Sequence, residues 1–188
     1  KAAFVDRLVD LTKQVKVGDP TLRENDVGPL VNEVAYHAYQ KYVSQAAADG
    51  EILVGGETLG ENGYYVAPTV VDKLPFEHQL WTEELFVPLV IVGEFNSGEE
   101  AMRMANDVFL GLTAGFFSQD DGEVEWFLEN IEAGCVYVNR ATGATTGAWP
   151  GYQAFGGWKG STGTNKSSMS CYYLQQYMRE QSQTVVSM

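Results

Sequence analysis

Residues 87–95, VPLVIVGEF, do most to limit what this chain can fold into. A nearly unbroken apolar run of this length reads as a strand buried on both faces. Such a strand needs cover on each side, and crossover helices in a parallel sheet supply it. The rest of the chain alternates accordingly. Phe4, Leu8, Leu11 and Val15 recur at helical spacing over residues 1–15, and Gly18-Asp19-Pro20 stops that helix. Asn32 is placed to cap a second helix running to about Asp49, with Val34, Ala38, Tyr39, Tyr42, Val43 and Ala46 on or near one face. Ile52-Leu53-Val54 reads as a short strand. Residues 64–71 read as another, which Pro68 restricts to an edge or an irregular stretch.

Beyond the central run, Ser97-Gly98-Glu99-Glu100 has the capping-box pattern and opens a helix to about Asp107. Residues 112–117 form the next strand. Asp120 and Asp121 start a helix with Val124, Phe127, Leu128 and Ile131 on one face, ended by Gly134. Residues 135–139, CVYVN, are again a strand. The fold class expected is α/β, a mostly parallel twisted sheet with crossover helices. Residues 172–179 fit a short helix or an extended tail. Thr184-Val185-Val186 looks like a final strand that needs an edge to pair with, which another subunit can supply. No repeat and no linker is visible.

Composition removes several classes of function. The 188 residues suit one domain or a piece of a larger one, and 45% hydrophobic residues suffice for a core. A net charge of −13 argues against a nucleic-acid backbone or an anionic membrane as partner. The two cysteines, Cys135 and Cys171, make no disulfide framework, and His37 and His78 lie too far apart in sequence to suggest a metal centre. No apolar run is long enough to span a bilayer and no signal peptide is visible. Lys1 falls inside a helical pattern, so the N-terminus is expected to be a cut, with part of the protein missing.

Two stretches carry candidate chemistry. Residues 142–165 are dense in Gly and Thr and hold Trp149, Tyr152, Phe155 and Trp158. Glycines allow close backbone approach to a ligand, and the aromatics supply apolar walls. The loop follows the carboxyl end of a strand, where open α/β sheets bind ligands; the plainer reading is a packed surface loop. Residues 82–88, TEELFVP, place Glu83 and Glu84 directly before the buried strand, with Phe86 two residues on. A carboxylate can accept hydrogen bonds from both ribose hydroxyls, and an aromatic beside it can face a flat ring. Alone, an acidic pair of this kind is more often a solvated surface turn.

Together the two stretches resemble the NAD(P)-dependent aldehyde dehydrogenase superfamily, whose motif is EE-hydrophobic-FGP. The surrounding segments KVGDP (16–20), VGPLV (27–31), GYYVAPTVV (63–71), AND (105–107) and AGCVYVN (133–139) look like that family too, so the resemblance covers essentially the whole chain. Residues 146–161, TGAWPGYQAFGGWKGS, are similar to the substrate loop of its 1-pyrroline-5-carboxylate dehydrogenase branch, also called L-glutamate γ-semialdehyde dehydrogenases.

The resemblance implies the C-terminal part of a catalytic domain over residues 1–188, with 183–188 as an oligomerisation tail. It implies NAD, or NADP, as cofactor, a small-molecule aldehyde as substrate, a homo-oligomer and a cytoplasmic enzyme of proline degradation. Glu84 would match the glutamate that holds the nicotinamide ribose, and Phe86 the aromatic near the nicotinamide. Gly147 and Ala148 would match the backbone donors for the substrate's α-carboxylate, and Phe155 the aromatic flanking its aliphatic part. A Gly-rich turn forms such an anion nest without adding charge. The family's chemistry is attack by a cysteine thiolate, oxidation by NAD(P)+ and hydrolysis aided by a glutamate base. The resemblance puts that cysteine and base upstream of Lys1, leaving no catalytic residue in this chain; Cys135 reads as a buried structural thiol and Cys171 as incidental.

The chain departs from the family pattern at Val87, in place of Gly, and Ala154, in place of Pro; residues 162–170 also diverge. Rival readings are a phosphate-binding loop at 157–167, where Asn165 precedes Lys166 instead of the required Gly, and a non-catalytic assembly module. Lys159 or Arg140 could pair with a substrate carboxylate or be solvated surface charges. His78 is expected to be a surface histidine.

Overall fold

The computed structural model describes residues 1–60, 62–141, 153–163 and 168–187. The chain divides into two compact units, Lys1–Phe95 and Asn96–Met188, with no Pro- or Gly-rich linker marking the boundary. The elements confirm an α/β chain with both parallel and antiparallel strand pairs.

In the first unit, helix α1 (Ala2–Thr12) ends three residues before the periodic pattern does. Thr12 Oγ1 donates to the Leu8 carbonyl at 2.8 Å, an internal bond that competes with helix continuation. Helix α2 (Glu33–Asp49) starts as expected, with the Ala35 N–H donating to the Asn32 side chain at 2.9 Å. The sheet has the order β1-β2-β3, from β1 (Glu51–Val54), β2 (Thr69–Asp72) and β3 (Leu89–Val92). β2 runs antiparallel to β1 and parallel to β3.

Two expected strands come out shorter. Residues 64–71 yield a strand only from Thr69, and the part up to Pro68, which has no N–H to give a ladder, is the irregular stretch that was one of the two expected outcomes. The strand that follows Pro68 is central in its sheet, and all four of its residues are buried. The run 87–95 yields only Leu89–Val92, at the edge of its three-stranded sheet, with Val90 46% exposed instead of buried.

Ala46, Val71, Leu74 and Leu80 form the core of this unit, with Tyr42, Trp81, Leu85, Leu89 and Ile91 packed around them. Beside it, the fully buried Tyr39 donates its hydroxyl to the Ala67 carbonyl at 2.8 Å and meets Thr69 Oγ1 at 2.8 Å. The Gly56 N–H reaches both hydroxyls, at 3.2 and 3.0 Å. Burial pushes the Tyr39 phenol above its ordinary range, against the hydrogen bonds from Thr69 and Gly56.

In the second unit, helix α3 (Gly98–Asn106) opens on the expected cap, with the Glu100 N–H donating to Ser97 Oγ. Strands β4 (Leu110–Gly111) and β5 (Thr113–Phe116) follow, then helix α4 (Asp121–Asn130), capped by Asp120. α4 stops at Asn130, not at Gly134. Strand β6 (Cys135–Val138) lies parallel to β5, and β7 (Trp158–Lys159) antiparallel to β4. Phe127, Ile131 and Ala133 centre the core, where the Phe116 and Phe127 rings stack 4.7 Å apart. Residues 174–177 form a 3-10 turn, settling the ambiguity over 172–179. The final strand expected at 184–186 is absent: Val185 and Val186 are exposed and outside any ladder.

Candidate functional site

The acidic-aromatic stretch is built as a turn fixed at both ends. A 3-10 helix, Gln79–Trp81, leads into it and pins it through Leu80, which is buried in the first unit's core. The amides of Thr82 and Glu83 both donate to the Gln79 carbonyl at 3.0 Å. At the far end the Thr69 N–H donates to the Pro88 carbonyl at 2.9 Å, which leads directly into the β2–β3 ladder. Trp81 is held by a long bond from its ring N–H to the Leu74 carbonyl, 3.4 Å, and by the Phe76 ring at 5.2 Å.

Between these anchors Phe86 adopts φ +52° and stands 81% exposed. A bulky side chain in the left-handed region is costly, and so is leaving a phenyl ring in water. Val87 does not share the strained φ, which explains why a β-branched residue is tolerated where the family has Gly. An open groove of about 340 Å³ lies along this turn, lined by Trp81, Glu83, Phe86, Val87 and Val90 among others. The structure brings Glu84 and Phe86 together in one turn, both exposed. The carboxylate lining the groove is Glu83, and Glu84 is its neighbour in the turn. The sequence presents Glu83 and Glu84 as a pair, and only the family resemblance assigns the ribose contact to Glu84.

The second stretch is anchored differently. Residues 154–157 lie against the start of β6 with backbone touching backbone. A Cβ at Gly134 would collide with the Gly156 carbonyl oxygen, and one at Gly157 would collide with the Ser161 side chain and sit 3.0 Å from the Gly111 carbonyl oxygen. Phe155 is half-buried, and its N–H donates to the Ser168 carbonyl at 2.8 Å. Asn139, at φ +53°, closes β6: its side chain accepts from the Ser118 N–H at 3.0 Å and donates to the Ser118 carbonyl at 2.7 Å. This clamp was missed in sequence, where Asn139 read only as the end of a strand.

Gly147 and Ala148 lie outside the described residues, as do 164–167 of the phosphate-loop alternative. Lys159 is engaged locally: its Nζ donates to the Asn106 carbonyl at 2.8 Å and lies 3.5 Å from Glu132. Arg140 is half-buried. Cys135 is 5% exposed, with its sulfur 3.7 Å from the Gly156 carbonyl oxygen, while Cys171 is exposed. Among the described residues no His, Cys, Asp or Glu group could hold a metal ion, and no helix is long and apolar enough to cross a membrane.

An acidic-aromatic turn thus leads into the parallel pair β2–β3, and residues 156–157 pack closely against the start of β6. The aldehyde dehydrogenase family matches residues 1–183, and the chain belongs to it. It is 33% identical over 184 residues to 1-pyrroline-5-carboxylate dehydrogenase 1 of Halalkalibacterium halodurans, covering 98% of this chain and 35% of that protein. It is 35% identical over 141 residues to the chloroplastic betaine aldehyde dehydrogenase of Beta vulgaris, covering 73% of this chain and 28% of that protein. The crystal structure of 1-pyrroline-5-carboxylate dehydrogenase from Thermus with bound NAD superposes with a TM-score of 0.82 at 33% identity, over 91% of this chain and 32% of that one. The chain thus spans about a third of the length of the relatives it matches.

Proposed function

We propose that these residues form the C-terminal part of the catalytic domain of an NAD(P)-dependent aldehyde dehydrogenase. The whole enzyme, in this reading, oxidises L-glutamate γ-semialdehyde to L-glutamate in proline degradation. The observation that carries it is the turn itself: an exposed aromatic on strained backbone beside two carboxylates, at the lip of a groove. Strain of that kind persists where the surroundings fix it, and it concentrates at ligand sites. The names of the relatives from Halalkalibacterium halodurans and Thermus support the choice of substrate.

The described residues fit a dinucleotide in two respects. Glu84 is exposed and able to accept from both hydroxyls of a ribose, and the Phe86 ring offers a free flat face. Bound there, the nicotinamide would serve as oxidant of the aldehyde carbon. The amides of Gly147 and Ala148 would hold the substrate's α-carboxylate, and Phe155 would cover its methylenes. The nucleophile and the base come from outside these residues; Cys135 is buried among backbone carbonyls and unsuited to attack. We place the enzyme in the cytoplasm as a homo-oligomer whose exposed 183–187 tail pairs with a second copy.

The test has two arms. The 188-residue chain, assayed with NAD+ and glutamate semialdehyde, is expected to show no turnover. Turnover abolished by Cys135→Ala or Cys171→Ala would overturn the assignment. In the whole enzyme, Glu84→Gln is expected to weaken cofactor binding about tenfold, the worth of a charge-assisted hydrogen bond. Unchanged binding would remove Glu84 from the site.

A further inference from the structure

His78 is not the free surface histidine expected from sequence. Its side chain is only 13% exposed, and it caps the 3-10 helix that feeds the candidate cofactor turn. The Leu80 N–H donates to His78 Nδ1 at 3.1 Å. That bond needs a lone pair on Nδ1, so the proton of the neutral ring sits on Nε2. Nε2 in turn lies 3.5 Å from Asp49 Oδ2, at the last residue of α2. The backbone of His78 is fixed as well, its N–H donating to Pro75 and its carbonyl accepting from Trp81.

The imidazole therefore ties the end of α2 to the amide of Leu80, the residue whose burial pins the turn. From Leu80 the chain passes through Trp81 and Glu83 to Phe86, all on the groove. Protonation would put a hydrogen on Nδ1 pointing at the Leu80 N–H, two donors facing each other. The ring would keep its attraction to Asp49 and lose the cap. Asp49 is the charge facing it from α2; Glu77, its neighbour in sequence, is exposed.

We propose that His78 is a positioning residue for the cofactor turn, holding residues 79–86 in binding shape when neutral and releasing them when protonated. The proposal rests on the cofactor reading above and adds a device that controls the site. It acts through Leu80 and touches no ligand.

The experiment measures NAD+ affinity of the whole enzyme from about pH 8 down to about pH 5.5, alongside hydrogen exchange of the peptide 79–86. Wild type is expected to lose about fivefold in affinity across that range, the worth of one cap, with faster exchange in the peptide after correction for intrinsic rates. His78→Asn keeps a cap acceptor that does not titrate; it should bind as wild type does at high pH and lose the pH step. His78→Ala should bind about fivefold more weakly at high pH. A pH step that survives in His78→Asn, or wild-type affinity in His78→Ala, overturns the proposal while leaving the cofactor reading intact. No NAD+ binding by wild type, with the peptide still protected in a His78-dependent way, ends the cofactor reading and this proposal with it.

Discussion

The acidic-aromatic turn and residues 154–157 are held in place by different means. In the first unit the acidic-aromatic turn is fixed by polar contacts: amides of the turn on the Gln79 carbonyl, Leu80 on His78, Thr69 on Pro88. The sheet it leads into is held similarly, by the Tyr39–Thr69–Gly56 network and by Lys1 on Asp72 at 2.6 Å. In the second unit residues 154–157 are fixed largely by shape, because Gly134 lets backbone meet backbone, with the Phe155 N–H on the Ser168 carbonyl beside it. Hydrogen bonds specify direction and can be made conditional on protonation. Steric contact between main chains does neither, but it tolerates no added atom. The acidic-aromatic turn is thus suited to adjustment and residues 154–157 to constant geometry.

The largest expected effect lies on the steric side. Gly134→Ala places a methyl group against the Gly156 carbonyl oxygen, where no flexible side chain can yield. Overpacking against main chain should destabilise by about 3 kcal/mol, read as a fall in the urea midpoint. A loss below about 1 kcal/mol would mean that residues 154–157 can move away freely, and the contrast between the units would fail.

On the polar side the effect is smaller and depends on pH. Burial alone would raise the Asp72 carboxyl; the hydrogen bonds from Lys1 and the Lys73 amide, with both lysine charges, outweigh it and hold Asp72 below the usual carboxylate range. A depressed carboxylate contributes stability above its unfolded value, near 3.9, and loses it as pH falls through the lower folded value. Asp72→Asn should therefore cost about 2 kcal/mol at neutral pH, with the difference from wild type closing in strong acid. A gap that stays constant down to about pH 2 would show that shape, not charge, matters at this position.

What could be read in advance follows the same division. The caps at Asn32 and Ser97 were legible because a cap is a local bond between residues three apart, and the helix start at Asp120–Asp121 was legible too. The strands misread were those whose fate depends on neighbours. The apolar run 87–95 announces hydrophobicity, but not that its strand ends at an edge; the β-formers at 184–186 do not supply a partner. Gly134 was read as a helix stop when its use is close approach, which only the position of Gly156 reveals. Of the site, Glu84 and Phe86 were legible as a pair. The left-handed backbone at Phe86 and the cap from His78 were not, since neither leaves a periodic trace in sequence.

The smallest effect on stability tests the sharpest functional claim. If Phe86 is held at φ +52° for a ligand, the fold gains nothing from its ring, which is 81% exposed. Glycine takes that backbone without strain, a relief of about 1 kcal/mol, partly offset by the greater freedom it gives the unfolded chain. Phe86→Gly should thus leave the urea midpoint unchanged or slightly raised while NAD+ affinity falls. Stability and binding moving apart in this way is what separates a residue kept for a ligand from one kept for packing. A loss of more than about 1 kcal/mol would assign the ring to the fold after all, and the turn would join residues 154–157 as a structure held by contact.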